Sequence, residues 1–158
     1  MVKRTSFEKA ECPIARSLDA IGDWWSLLII RDALLGIRRF SEFQKNLGLA
    51  KNILTVRLRT LVDQGILKTA PASDGSAYQE YVLTPKGRGV FPVLVALRQW
   101  SEEFSPERGG FSTLLVDRKG GQPVRKLELR APDGRLLSDG DTELQPNPKA
   151  KRRQRLIA

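Results

Sequence analysis

Between Gly36 and Arg59 the sequence reads GIRRFSEFQKNLGLAKNILTVRLR, and six of its residues are basic: Arg38, Arg39, Lys45, Lys51, Arg57 and Arg59. Glu42 is the one acid among them, so the stretch carries a net charge of +5. Guanidinium and ammonium groups at this density suit a polyanion, where they hold phosphate oxygens or, inside a groove, read base edges. Asn52, Thr55 and Val56 lie among these charges. An asparagine amide matches adenine, an arginine matches guanine or phosphate, and an exposed valine packs on a thymine methyl. The simpler reading of the same residues is a solvated helix face.

Such chemistry needs elements that aim it. Leu54, Leu58, Leu61 and Val62 recur at helical spacing, which predicts a helix from about Ala50 to Gln64. A wheel started at Lys51 places Asn52, Val56 and Arg59 opposite that apolar stripe, with Lys51 and Thr55 beside them. Ahead of it, Ser41 is read as the cap of a short helix with Phe40, Phe43 and Leu47 inward, ended by Gly48. Two helices joined by a glycine turn form a helix-turn-helix. Arg38 and Arg39, just before the pair, fit a backbone-positioning role.

Two further helices precede this pair. Cys12 and Pro13 start the first, with Ile14, Leu18 and Ile21 on one face and Gly22 closing it. WWSLLIIRDALL, from about Trp24 to Leu35, is apolar on most faces and is expected at the centre of the core. After Gly65 the period changes: ILKTA and YQEYVL, joined by SDGSA, predict a β-hairpin. Its Lys68 and the tip from Ser73 to Tyr78 could touch flanking phosphates or the minor groove, although Asp74 opposes close approach. Thr84 and Pro85 then cap a fifth helix through VFPVLVALRQWSEEF, in which Pro92 predicts a kink or a later start. The expected fold is mainly α with a β-hairpin wing, a winged helix-turn-helix, over residues 1–104.

From residue 105 the composition shifts. SPERGG reads as a linker, and FSTLLVD, PVRKLELR and GRLLS as a small β-meander within an extension spanning 105–148. Residues 149–158 hold five bases and no acid, as in a flexible tail.

Composition narrows the function. The chain has 158 residues and a net charge of +9, with a pI near 10.1; an acidic partner is favoured. With no histidine, imidazole bases and His-ligated metals are excluded. No Gly-rich phosphate loop or nucleophile elbow appears, and Glu102 and Glu103 are adjacent helical positions that point apart. Neither an enzyme, a cofactor nor a metal is therefore expected. The single cysteine allows no internal disulfide, which suits a reducing cytosol. MVKRTSFEKAE has no apolar signal core, and LLII is far too short to span a bilayer, so the expected location is the cytoplasm, with no membrane partner.

The run CPIARSLDAIGDWWSLLIIRDALLGIRRFSEFQKNLGLAKNILTVRLRTLVDQGIL, with YVLTPKGRGVFPVLVALRQW, resembles the HxlR family of bacterial winged-helix transcription regulators. The shared marks are Cys12-Pro13, Gly22-x-Trp24, Arg39-Phe40 with Phe43, Leu54-Thr55-x-Arg57-Leu58 and Leu83-Thr84-x-x-Gly87. The resemblance implies a homodimer packed through its first and last winged-domain helices, each protomer reading half of an inverted-repeat operator in double-stranded DNA. Ile14, Leu18, Phe91, Leu94, Leu97 and Trp100 are the interface candidates. Absence of a serine-like cap in Gly48-Leu49-Ala50-Lys51 departs from the family pattern, and the extension lies outside it. Some members sense oxidants or electrophiles at the position of Cys12. A thiol at a helix N-terminus meets amide dipoles that favour thiolate, so an oxidant or small-molecule effector is a candidate partner; the alternative is a buried, inert cysteine. A repressor is the leading functional reading. The alternative is a protein-interaction module, or a nonspecific nucleic-acid binder driven by the tail.

Overall fold

The structure is a computed structural model that describes residues 6–105 and 111–148. Pro13 sits in the first turn of α1 (Pro13–Ile21), where its missing N–H costs nothing, and Cys12 is the cap residue without a side-chain capping bond. Helix α2 (Trp24–Leu34) is capped by Asp23, whose carboxylate accepts from Ser26 N at 3.0 Å. Its Ile29 and Ile30 are fully buried, as the apolar run required.

Helix α3 (Phe40–Leu47) starts two residues earlier than a Ser41 cap would place it, with Arg39 at the cap position. Glu42 does the capping instead, accepting from Arg38 N at 3.2 Å and Arg39 N at 3.0 Å. A carboxylate that reaches back to two spare N–H groups outcompetes a hydroxyl that meets one. Gly48 adopts φ 63°, the left-handed conformation that ends α3. Helix α4 (Lys51–Asp63) follows with Ala50 at the cap position and no side-chain cap, as the sequence indicated.

Strands β1 (Leu67–Pro71) and β2 (Gln79–Leu83) pair antiparallel in the register Leu67 with Leu83 and Thr69 with Tyr81. Leu67 and Leu83 thereby enter the core beside Leu54, Leu58, Leu61 and Phe43. The expected fifth helix is two. Thr84 caps α5 (Pro85–Arg88) by accepting from Gly87 N at 3.1 Å, and α6 (Phe91–Phe104) begins anew with Pro92 in its first turn. A Cβ on Gly87 would lie 2.2 Å from the Ile66 carbonyl oxygen, which explains the glycine in Leu83-Thr84-x-x-Gly87.

By contacts the chain divides into one unit running to Leu94 and a second from Val95. Within the second, the segment 111–148 has sparser pairing than a three-stranded meander: isolated antiparallel bridges join Val116 to Pro123 and Arg130 to Leu136, followed by a 3₁₀ turn at Asp139–Asp141. No residue of that segment is buried, so there is no core layer to hold a continuous ladder. Most of the SPERGG linker and all of the basic tail lie outside the described residues. Among the described residues no helix is long and apolar enough to cross a membrane.

Candidate nucleic-acid interface

Leu54, Leu58 and Leu61 of α4 are fully buried. At 100° per residue, Lys51, Asn52, Thr55, Val56 and Arg59 emerge on the far side, and all five are exposed. Val56 has 58% of its surface open. Thr55 Oγ1 already donates to Lys51 O at 2.8 Å, so toward a ligand this hydroxyl offers lone pairs.

The helix preceding α4 is held firmly. Phe43 is fully buried and meets Tyr81 of β2 edge to face, with ring centroids 6.5 Å apart. Asn46 donates to Asp32 Oδ2 at 2.7 Å, while Arg31 donates to Asp32 Oδ1 through Nε at 2.9 Å and Nη2 at 2.8 Å. Both oxygens of this fully buried carboxylate are therefore satisfied, and α2 is tied to α3.

The six bases divide into two groups. Arg57 turns back to Asp23, the cap of α2, with Nε 3.4 Å from Oδ1. That contact is an ion pair by distance alone, because Nε lacks an aligned hydrogen-bond acceptor. Arg38 Nη1 lies 3.5 Å from Glu80 Oε2. Arg39 pairs with Asp74, approaches Glu80 Oε1 at 3.9 Å, and covers the Tyr78 ring at 5.9 Å. Among the described residues Lys45, Lys51 and Arg59 have no acidic partner, so the unopposed charge lies on α3 and α4. Lys68, opposite Val82 on the hairpin, is exposed as well.

Carboxylates thus latch the hairpin to the start of α3. Glu80 is 4% exposed and accepts from Ser73 N at 3.2 Å and Ser73 Oγ at 3.0 Å. The Ser73 N–H, with Arg38 in support, holds Glu80 below the usual carboxylate range. Hydrogen bonds from Ser76 and Arg39 hold Asp74 well below it. The N–H groups of Arg39 and Arg38 lower Glu42, and Asp74 raises Arg39. A carboxylate depressed in the folded state stabilises it above the ordinary pKa and loses that contribution as pH falls through the folded value. Melting temperature is accordingly expected to hold from neutrality to about pH 5 and to fall below about pH 4, with a shallower fall for Glu80→Gln, read by thermal scans across pH.

Cys12 is a free, exposed thiol at the start of α1. Ile14 and Leu18 on α1, and Phe91, Leu97 and Trp100 on α6, are also exposed, Trp100 by 61%, whereas Leu94 packs against the core of its own chain. Sequence reasoning missed the roles of Asp23, Asp32 and Glu80. The signal available was weak: acids in SDGSAYQEY matching the two arginines of IRRF in number.

Comparison with known proteins agrees with this geometry. Residues 20–108 match the HxlR-like helix-turn-helix family. An uncharacterized HTH-type transcriptional regulator of Mycobacterium tuberculosis is 40% identical over 97 residues, 61% of this chain and 61% of that protein, so the match leaves well over a third of the relative uncovered. YdeP of Bacillus subtilis, another uncharacterized HTH-type transcriptional regulator, is 31% identical over 94 residues, 59% of this chain and 73% of its own. The crystal structure of PA1607, a candidate transcription factor, has a TM-score of 0.85 at 53% identity and covers 90% of this chain and 100% of that one. The redox regulator HypR in its oxidized form has a TM-score of 0.54 at 30% identity, over 61% of this chain and 99% of its own. The matched region contains α2 to α6 and the hairpin, and the family and relatives it matches are helix-turn-helix transcriptional regulators, not enzymes. The chain belongs to the HxlR-like helix-turn-helix family.

Proposed function

We propose that this chain is a cytoplasmic transcriptional regulator, acting as a homodimeric repressor on an inverted-repeat operator in double-stranded DNA. The observation that carries the reading is the uncovered face of α4, where Asn52, Thr55, Val56 and Arg59 stand clear of a fully buried leucine stripe. Asn52 and Arg59 read base edges, Val56 packs on a thymine methyl, and Lys51 and Lys68 hold phosphates. Arg38 and Arg39 reach phosphate only as far as Glu80 and Asp74 leave them free, and Arg57 serves mainly to brace α2.

Exposed Ile14, Leu18, Phe91, Leu97 and Trp100 supply the apolar surface for the second protomer. A two-fold protein reads a palindrome, with half-sites one helical turn or a multiple of it apart, about 34 Å per turn. Hydroxyl-radical footprinting on the chain's own upstream DNA tests this. Two symmetric protected patches at that spacing support the reading; a single patch or uniform weak protection opposes it.

Oxidants or electrophiles act through Cys12 in this proposal, a reading supported by the exposed thiol and by the likeness to a named redox regulator. Stoichiometric Cys12 modification, confirmed by mass spectrometry, is expected to change operator affinity in the wild type and to have no counterpart in Cys12→Ser. Unchanged affinity after full modification contradicts the sensor role. The competing tail-driven binder rests on the five bases of residues 149–158. Deleting them is expected to lower affinity for all DNA while leaving the preference for operator intact.

A further inference from the structure

The hairpin tip is poorly suited by itself to lie near a phosphate backbone. From residue 72 to residue 81 the chain reads ASDGSAYQEY, with two acids and no base. The cations at this junction, Arg38 and Arg39, come from the residues leading into α3, and the two acids hold them in different ways.

Glu80 is a fixed partner. It is buried, and both Ser73 N and Ser73 Oγ donate to its Oε1, at 3.2 and 3.0 Å. Arg39 Nε approaches the same oxygen at 3.9 Å, while its guanidinium carbon lies 5.9 Å from the Tyr78 ring centroid, within cation–π range. Asp74 is held more lightly. Its side chain is 53% exposed; Oδ2 accepts from Arg39 Nη2, and Oδ1 accepts from Ser76 N at 3.1 Å. The main-chain bonds that close the tip, Ala72 N to Tyr78 O at 3.0 Å and Gly75 N to Ala72 O at 3.1 Å, do not involve this carboxylate. Rotation of the Asp74 side chain therefore releases it to water and leaves the hairpin intact.

The Arg39 guanidinium thus has a braced side, toward Glu80 and the Tyr78 ring, and an exchangeable side at Nη2. Carboxylate and phosphate oxygens meet a guanidinium in the same geometry. We infer that the Nη2 side of Arg39 is a phosphate site closed by Asp74 in the free protein, so that a DNA phosphodiester displaces the carboxylate and the hairpin acts as a brake on affinity. An exposed ion pair contributes little to stability, whereas a phosphate contact gains from released counterions, so the exchange runs toward DNA. The inference rests on the DNA-binding reading above and deepens it: Arg39 binds phosphate only by giving up an acid of its own chain.

The test is a double-mutant cycle on the full chain: wild type, Asp74→Asn, Arg39→Ala and the double variant, each titrated into the upstream DNA and a scrambled duplex over a range of salt. Asparagine keeps the Oδ1 that accepts from Ser76 N and loses only the charge. Asp74→Asn is expected to bind both duplexes about fivefold more tightly, with a salt slope steeper by about one. In the Arg39→Ala background the same change is expected to shift affinity by less than about twofold. Unchanged or weaker binding by Asp74→Asn overturns the brake. An equal gain with and without Arg39 also overturns it, and assigns the effect to plain repulsion between Asp74 and DNA. Because the scrambled duplex carries the same phosphates, the cycle is read there whether or not the upstream DNA is preferred; loss of that preference counts against the reading of α4 alone, and failure of all four proteins to bind either duplex removes both.

Discussion

Alanine at Asn52 or at Arg59 is expected to weaken operator binding by about 1–3 kcal/mol each, roughly five- to 150-fold. Both side chains sit on the exposed face of α4, opposite the fully buried leucine stripe that holds the helix in place. Their loss therefore removes contacts to DNA without disturbing the scaffold. Arg59→Ala and Asn52→Ala should also relax the preference for operator over scrambled duplex, whereas a phosphate contact such as Lys51 should affect both duplexes alike and lower the salt slope by about one. Arg57→Ala supplies the contrast. Its guanidinium faces Asp23, so a much smaller change in affinity is expected. Fluorescence anisotropy on the two duplexes checks all four variants. An Arg57→Ala loss equal to that of Arg59→Ala would show that the pairing with Asp23 gives way on DNA.

The largest effect on stability is expected from Phe43→Ala, at about 3–5 kcal/mol. Phe43 has no exposed surface and lies in the core with Ile29, Ile30, Leu54 and Leu58, while its ring meets Tyr81 on the hairpin. Truncation leaves a cavity between three elements whose backbones cannot all close on it, and it removes the edge-to-face contact between α3 and the hairpin. At about 4–8 °C per kcal/mol for a domain of this size, the melting temperature should fall by more than 10 °C. Far-ultraviolet circular dichroism during heating checks it. A change of only a few degrees would mean that the hairpin and α3 are not joined through this residue.

Much of the fold was legible because its punctuation is local. Pro13, Gly22, Gly48 and Gly65 bracket helices whose apolar periods are unmistakable, and Pro92 announced the fresh start of α6. The exposed face of α4 followed from the wheel alone. The Ser41 cap failed because Glu42 stands three residues after Arg39, at the position from which a carboxylate reaches back to a helix start. What the sequence could not show is which outward charges meet acids from elsewhere. Arg39 and Asp74 are 35 positions apart, and their pairing exists only once the hairpin has folded back to the start of α3. Nothing local marks Glu80 as buried, yet the arginines and Ser73 enclose it. In the extension, alternating leucines read as strands although the segment has no layer of its own to bury them in.

Helix α4 is expected to read sequence rather than charge alone. Titration of the protein into its own upstream intergenic DNA and into a scrambled duplex, each at two salt concentrations, tests it most directly. A preference of ~10³ or more for the upstream DNA, kept at the higher salt, is the expected result. Equal affinity for both duplexes with a steep common salt slope would contradict it, and would reduce the basic face of α4 to a holder of phosphate.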